Sequence, residues 1–350
     1  MNTTATLQQN WFANRKWGIF IHYLYNCQNG SGNFHNTKTY QTDWNECVEE
    51  LDTDLLARQL AEINAGYLIF TVMQGSRFLC APNETYEKLT GYARGEATSR
   101  RDLIGDLLNS LDKYGIPLFL YYTGDGPHKD PKAMLGLYGE ATDILPDGNH
   151  VTKHFVKNWT AVMQEYAKRY GKRIAGWWVD GLYPTIGYTP ELMQPYRDVA
   201  LEGNPERLFS ATYHGCFKYG NHRTVDVPGA GEVIFADFFH EVAPPTPVDD
   251  FTAGEVVSLD VYPTAQLTEG AQSHILSFLG IPNHPVAVYD GWGARGCKYS
   301  IEYLMKYVKQ VNALGGVVSM DVCMYRDGRI DPDQIRVLKM LASLRRAPGM

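Results

Sequence analysis

Gly176-Trp177-Trp178-Val179-Asp180-Gly181-Leu182-Tyr183 is the stretch on which the reading of this chain turns. Ile174 to Val179 is an apolar run of strand length that ends on a carboxylate and is released by a glycine. Two indoles stand just before the acid. A carboxylate at the carboxyl end of a buried strand, beside aromatic rings, suits a site for a sugar: ring faces pack on C–H surfaces while the acid meets the reacting carbon. The same residues also suit an Asp that merely caps the next turn, so the surrounding sequence has to decide.

Outward from this strand the chain alternates. Val151 to Tyr170 before it is a helix, with Phe155, Trp159, Val162 and Met163 at helical spacing, and Gly171 ends it. Earlier strands are expected at Trp17 to His22, Tyr67 to Val72 and Pro117 to Tyr122. Helices are expected at Glu46 to Asn64 and Arg101 to Tyr114. Later strands are expected at Leu208 to Tyr213, Glu232 to Phe239, His274 to Leu279 and Gly316 to Val322, with helices at Tyr299 to Leu314 and Asp331 to Leu344. Alternating strands and helices imply an α/β fold on a parallel sheet. An open dinucleotide-binding sheet needs a G-x-G-x-x-G turn after an early strand, and none is present; nor is there a Walker loop. The expected closure is therefore a (β/α)8 TIM-like barrel, somewhat irregular, forming one domain over residues 1–350. A decorated barrel fits 350 residues, since the fold takes about 250 and tolerates insertions. The glycine- and proline-rich stretch from Tyr213 to about Gly254 reads as an elaborated loop over the carboxyl-end face.

Composition narrows the partners. A net charge of −7, with no basic run, argues against nucleic acid and anionic membranes. No segment approaches the roughly 18 apolar residues of a membrane span. Cys27, Cys47, Cys80, Cys216, Cys297 and Cys323 form no C-x-x-C pair, which suits a reducing compartment and no zinc site. Residues 1–9 are polar and lack the apolar core of a signal peptide, so a cytoplasmic location is expected. His22, His214, His240 and His274 stand near strand ends, but no H-x-H or H-E-x-x-H spacing supports a metal. No metal or cofactor is expected; the oligomeric state, a homo-oligomer included, stays open.

In a barrel, His22, Tyr121, Tyr122, Asp125 and Asp180 would share one rim, because each closes or follows a strand. Each alone also has a packing role available to it. Hydrolysis of a glycoside needs two carboxylates, one to attack or to activate water and one to protonate the leaving oxygen. Asp180 supplies the first. Glu255, at the end of Asp249-Asp250-Phe251-Thr252-Ala253-Gly254-Glu255, is the clearest second, with Glu232, Glu241, Asp260 and Glu269 as rivals.

Trp11-Phe12 with Lys16-Trp-Gly-Ile-Phe-Ile-His22 resembles the opening of the α-L-fucosidases of glycoside hydrolase family 29. Arg101-Asp-Leu-Ile-Gly, Gly115-Ile-Pro-Leu-Phe-Leu-Tyr-Tyr122, Trp178-Val-Asp180-Gly, Asp250-Phe-Thr-Ala-Gly-Glu255, and Gly315-Gly with Asp327-Gly-Arg-Ile-Asp-Pro-Asp-Gln334 are similar to later units in the same order. The resemblance spans about residues 11–345, the barrel, without the β-sandwich that usually follows. It implies a retaining α-L-fucosidase-like enzyme acting on a terminal sugar, with Asp180 as nucleophile and Glu255 as acid and then base. It also implies that His22 binds a hydroxyl, Trp178 contacts the ring and Tyr121 or Tyr122 lines the site. The chain departs from the family where a His-His-Asp-Gly-Phe element is expected: Gln74 stands at the first His and Gly75 at the second. Tyr213-His214-Gly215 replaces an expected Arg, which makes His214 a further candidate for the sugar, and His-Tyr-Leu stands for His-Trp-Gly. Gln can still donate and accept, so these changes alter the glycone pocket more than the acid pair. Two alternatives follow: the same barrel on a different sugar, or a carbohydrate-binding homologue without catalysis.

Overall fold

The computed structural model describes residues 9–25, 43–139 and 151–345, apart from 216, 229, 230, 239, 240, 283 and 287. Cys27, Cys216, His240 and the residues of the N-terminus before Gln9 lie outside the described residues. The strands are β1 (Trp17–Ile21), β2 (Leu68–Thr71), β3 (Leu118–Thr123), β4 (Ile174–Asp180), β5 (Leu208–Ala211), β6 (Phe217–Val227), β7 (Gly231–Phe238), β8 (Leu267–Thr268), β9 (Ala271–Gln272), β10 (His274–Phe278) and β11 (Val317–Asp321). Seven of them form one curled parallel sheet in the order β10-β11-β1-β2-β3-β4-β5, consistent with a TIM-like barrel.

The stretch around Asp250 and Glu255 lies between the two edges of that sheet. Asp250 donates its amide to the Phe209 carbonyl of β5 at 2.8 Å. On its other side the Gln272 amide donates to Asp250 and the Leu276 amide to Gly254, each at 2.8 Å, while the Val256 amide donates back to Leu276 at 2.9 Å. Gly254 makes the approach possible. It has a φ of +66°, and a Cβ there would lie 1.9 Å from the His274 carbonyl oxygen. Carboxylates cover the β5 amides that no strand reaches: Asp250 takes Phe209 N and Asp249 takes Ala211 N. Arg197 holds Asp250 by two bonds of 2.8 and 2.9 Å.

Two expectations about elements change. The strand expected at Glu232 to Phe239 exists as β7, but it pairs antiparallel with β6 in a hairpin outside the parallel sheet. The helix expected at Glu46 to Asn64 is two helices, Trp44–Glu50 and Thr53–Glu62. Leu51 turns extended between them, and the Asp52 side chain accepts from Leu55 N to start the second. The long helix before β4 is Lys153–Tyr170, capped by Thr152.

Strand alternation divides the core in two. Outward residues such as Ile19, Leu68, Leu120, Trp177 and Val318 meet the helices. Inward residues such as Phe20, Ile69, Tyr121, Trp178 and Leu276 fill the interior. At the amino end Phe12, Tyr67, Phe119 and Phe251 pack ring against ring, with centroids 5.0 to 6.0 Å apart. This plug leaves the carboxyl end as the open one.

Candidate active site

At the carboxyl end Phe20, His22, Gln74, Tyr121, Trp178, Asp180, Glu255, Leu276, Tyr289 and Trp292 line one pocket. Asp180 and Glu255, 75 positions apart in sequence, thus share a cavity (255 − 180). The space between these residues, with the open solvent at its mouth, is about 260 Å³.

Asp180 ends β4 with its side chain inward, as alternation from Trp178 requires. Its Oδ1 accepts from the Tyr183 hydroxyl and the Gly181 amide, both at 2.7 Å. Its Oδ2 accepts from the Tyr121 hydroxyl at 2.7 Å and from Gln74 Nε2 at 3.4 Å. Burial pushes the Asp180 carboxyl above its usual range and the neighbouring charge of Asp125 adds to this, while the Tyr183, Tyr121 and Gly181 donors pull it back. Burial and the Asp180 charge in turn push the Tyr121 phenol well above its usual value, so it remains a donor.

Glu255 enters from the sheet-bridging stretch and accepts from the Tyr289 hydroxyl at 3.3 Å. Its rivals Glu241, Asp260 and Glu269 are exposed and do not line the pocket. The side chain of Glu232 lies outside the described residues. Trp178 stacks on Tyr121 with centroids 5.3 Å apart, and Phe20 meets both rings edge-on. The Trp178 indole donates to the Ala253 carbonyl at 3.3 Å, which ties the Asp180 strand to the stretch that carries Glu255.

His22 follows β1. Its Nδ1 donates to Asp321 Oδ1 at 2.7 Å, and Asp321 Oδ2 takes the Gly293 amide at 2.5 Å. Asp321, fully buried at the end of β11, fixes the ring and its tautomer. Nothing in the sequence reading singled out Asp321, Tyr289 or Trp292. Asp321 was recoverable as an acid closing an apolar strand, the same signal that marked Asp180. The two aromatics stand in a loop after β10 and carry no comparable signal.

Two expected residues are placed elsewhere. Tyr122 is a correction: one step along β3 from Tyr121, it points to the helix layer, where its hydroxyl donates to the Trp159 carbonyl at 3.1 Å and its ring stacks on that indole. Trp177 faces outward for the same reason. His214 is half-buried against the Tyr213 ring and is not among the residues that line the pocket. Gln74 does line it.

The pocket carries two unmet hydrogen-bonding groups. Gln74 Oε1 and Trp292 Nε1 are buried and have no partner among the described residues. A buried polar group left unpaired costs about 1–3 kcal/mol. An acceptor and a donor together are what one hydroxyl of a ligand, which both gives and takes a hydrogen bond, would satisfy. Among the described residues no three His, Cys, Asp or Glu side chains converge to hold a metal, and no helix is long and apolar enough to cross a membrane.

The sequence matches no protein-family model and no curated protein. Solved structures do share its fold. An endo-fucoidan hydrolase of glycoside hydrolase family 107, P5AFcnA, is similar over 97% of this chain and 93% of its own, with a TM-score of 0.64 and 15% identity. The α-L-fucosidase AlfC from Lactobacillus casei, in complex with α-L-fucose product, is similar over 97% and 98%, with a TM-score of 0.61 and 16% identity. A family 29 α-L-fucosidase from Bacteroides thetaiotaomicron is similar over 96% and 72%, with a TM-score of 0.59 and 14% identity. At these identities the likeness is one of fold.

Proposed function

We propose that this chain is a glycoside hydrolase that works by double displacement, with Asp180 as the nucleophile and Glu255 as the general acid and then base. The observation that carries the reading is the shared pocket: two carboxylates from distant segments, an indole on the floor, and an unmet donor and acceptor on the walls. Asp180 attacks the anomeric carbon while Glu255 protonates the departing oxygen, and Glu255 then takes a proton from the water that releases the sugar. The Tyr121, Tyr183 and Gly181 donors hold the carboxylate in one orientation, so that little reorganisation accompanies attack. His22, oriented by Asp321, binds a ring hydroxyl, and Trp178 supports the ring face.

The fold shared with fucosidases and a fucoidan hydrolase, together with the motif order, makes an α-L-fucose-configured ring the first substrate to offer. Gln74 and Gly75, where the resembled family places histidines, favour a second reading in which the same chemistry acts on a related sugar. The test is a panel of aryl glycosides over several sugars and both anomers, run on wild type, Asp180→Ala and Glu255→Ala. Turnover by wild type is expected to fall by about 10³-fold or more in Asp180→Ala. Azide is expected to restore Glu255→Ala and to yield a glycosyl azide that keeps the substrate's anomeric configuration. Unimpaired turnover by either variant rejects the assignment, and no turnover by wild type on any sugar favours the binding-only alternative.

A further inference from the structure

Lys298 is half-buried just before the helix Ile301–Ala313, and the hydrolytic steps above make no use of it. Its backbone amide donates to the Leu279 carbonyl, just past β10, at 2.9 Å. Its ammonium crosses to the neighbouring stretch and donates to the Val257 carbonyl at 2.8 Å. There it stands over the Phe278 ring, 3.6 Å from the centroid. Among the described residues Nζ makes no second hydrogen bond. Burial pushes the ammonium from 10.5 down to about 7, against the opposing charge of Asp260. At pH 6 it is charged, and a desolvated charge with a single acceptor holds that acceptor firmly.

What it holds is the back of the proposed acid. Glu255 pairs with Leu276 of β10 as a parallel neighbour, and the bond from the Val256 amide to the Leu276 carbonyl closes that pairing. The next carbonyl, two residues past the carboxylate (257 − 255), is the one that Lys298 takes. Lys298 therefore ties the outgoing end of the Glu255 stretch to the end of β10. Its ring contact leads to the wall beside the acid. Phe278 meets Trp292 at 5.0 Å, and Trp292 lines the pocket next to Tyr289, which donates to Glu255. One side chain thus braces both the peptide that carries the acid and the ring on which the aromatic wall packs. A proton donor works only within hydrogen-bond reach of the leaving oxygen, and a drift of about 1 Å forfeits much of its effect. Farther along, the segment has other anchors: the Leu259 amide donates to the Tyr299 hydroxyl at 2.8 Å, and the Tyr303 hydroxyl donates to the Leu259 carbonyl at 2.6 Å.

We infer that Lys298 is a positioning residue for Glu255: its bond to the Val257 carbonyl, braced on the Phe278 ring, sets the reach of the acid to the leaving oxygen. The inference rests on the hydrolase reading and adds a residue to it. The test uses two aryl glycosides of the sugar that wild type turns over best, with phenol and 2-chloro-4-nitrophenol as leaving groups, at pH 6. Phenol leaves poorly and needs the acid, whereas the chloronitrophenol leaves with little help. The quantity read is the ratio of kcat/KM on the phenyl glycoside to kcat/KM on the chloronitrophenyl glycoside, in which the folded fraction cancels. Relative to wild type it is expected to fall about 10²-fold in Glu255→Ala and about tenfold in Lys298→Met, which keeps the stem without the donor. Lys298→Gln, whose amide is too short to reach Val257, is a second variant and should lower the ratio as well. Tyr303→Phe frees the same segment at Leu259 and should leave the ratio within about twofold of wild type. A ratio unchanged in both Lys298 variants while Glu255→Ala lowers it overturns the inference, and so does a fall in Tyr303→Phe as large as that in Lys298→Met. If Glu255→Ala leaves the ratio alone, or wild type turns over no aryl glycoside, the acid assignment itself fails and this inference falls with it.

Discussion

Two histidines face the interior of the sheet, and β11 serves both of them in opposite ways. His274 opens β10 near the plugged end, where Nδ1 meets the Thr252 carbonyl at 2.9 Å and Nε2 meets the Ser319 hydroxyl at 2.7 Å, which also binds Tyr67 at 2.7 Å. His22 follows β1 at the open end and is held by Asp321, two residues further along β11. Alternation places Ser319 and Asp321 on the same inward face, one tier apart. The lower ring has both nitrogens occupied by protein and is fully buried, and burial pushes its pKa down to about 4. The upper ring has one nitrogen on a buried carboxylate and belongs to a pocket that also holds Asp180 and Glu255. Of the two rings, the lower one belongs to the packing and the upper one lines the candidate site.

The largest effect expected from this contrast is on stability. His274→Ala removes a buried ring and leaves the Thr252 carbonyl and the Ser319 hydroxyl each short of a partner, which should cost about 3 kcal/mol in chemical unfolding. Activity per folded molecule should change little; a loss of turnover greater than the loss of folded protein would erase the distinction between tiers. His22→Ala should do the reverse, lowering kcat/KM on the order of 10²-fold while the melting midpoint moves little. Asp321→Asn should fall between them, because it keeps the shape but presents the wrong partner to the imidazole and to Gly293 N. If His22→Ala melts as low as His274→Ala, the upper histidine is structural as well.

Much of this arrangement was legible in the sequence, and the losses have identifiable causes. The apolar runs that became β1, β2, β3, β4, β5, β10 and β11 were visible because strands buried on both faces are continuously hydrophobic. That same continuity hides which face each residue takes, so Tyr121 and Tyr122 were indistinguishable until the register placed them on opposite sides. Glu255 stood out through the run around it, although that stretch does not look like a strand: Asp249, Asp250 and Gly254 mark it as loop, and those residues are what let it bridge the two edges. β7 looks like a barrel strand by composition, and only its antiparallel partner shows otherwise. Asp321 closes an apolar strand as Asp180 does, but its partner His22 stands 299 positions away, so no local pattern reports the pairing.

Acid sensitivity sharpens the lower tier. The folded state holds His274 neutral down to about pH 4, whereas the unfolded chain takes up its proton near 6.5. The unfolded state therefore binds more protons between those values, and stability should decline as pH falls from 6.5 to 4. Asp249 works the other way: burial pushes its carboxyl from 3.8 up to about 7, so it favours the folded state increasingly as pH falls through that range. The wild-type profile mixes the two contributions, and the difference between wild type and His274→Ala isolates the histidine. That difference should shrink on acidification; a difference that stays constant from pH 7 to 4 would mean that the ring titrates freely in the fold.

The smallest expected effect belongs to the upper tier and concerns Asp180, the proposed nucleophile. The proposed mechanism requires it ionised, so the acid limb of kcat/KM should follow its pKa, which burial raises and its donors lower. Tyr121→Phe removes a donor to the charged form and should move that limb to higher pH by less than about one unit. Asp125→Asn removes a like charge and should move it to lower pH by a similar amount. Opposite shifts from two substitutions that both flank β4 would be hard to obtain from general loosening of the pocket, which would move both limbs the same way. Shifts of the same sign would mean that the limb reports another group, with Glu255 the first to suspect.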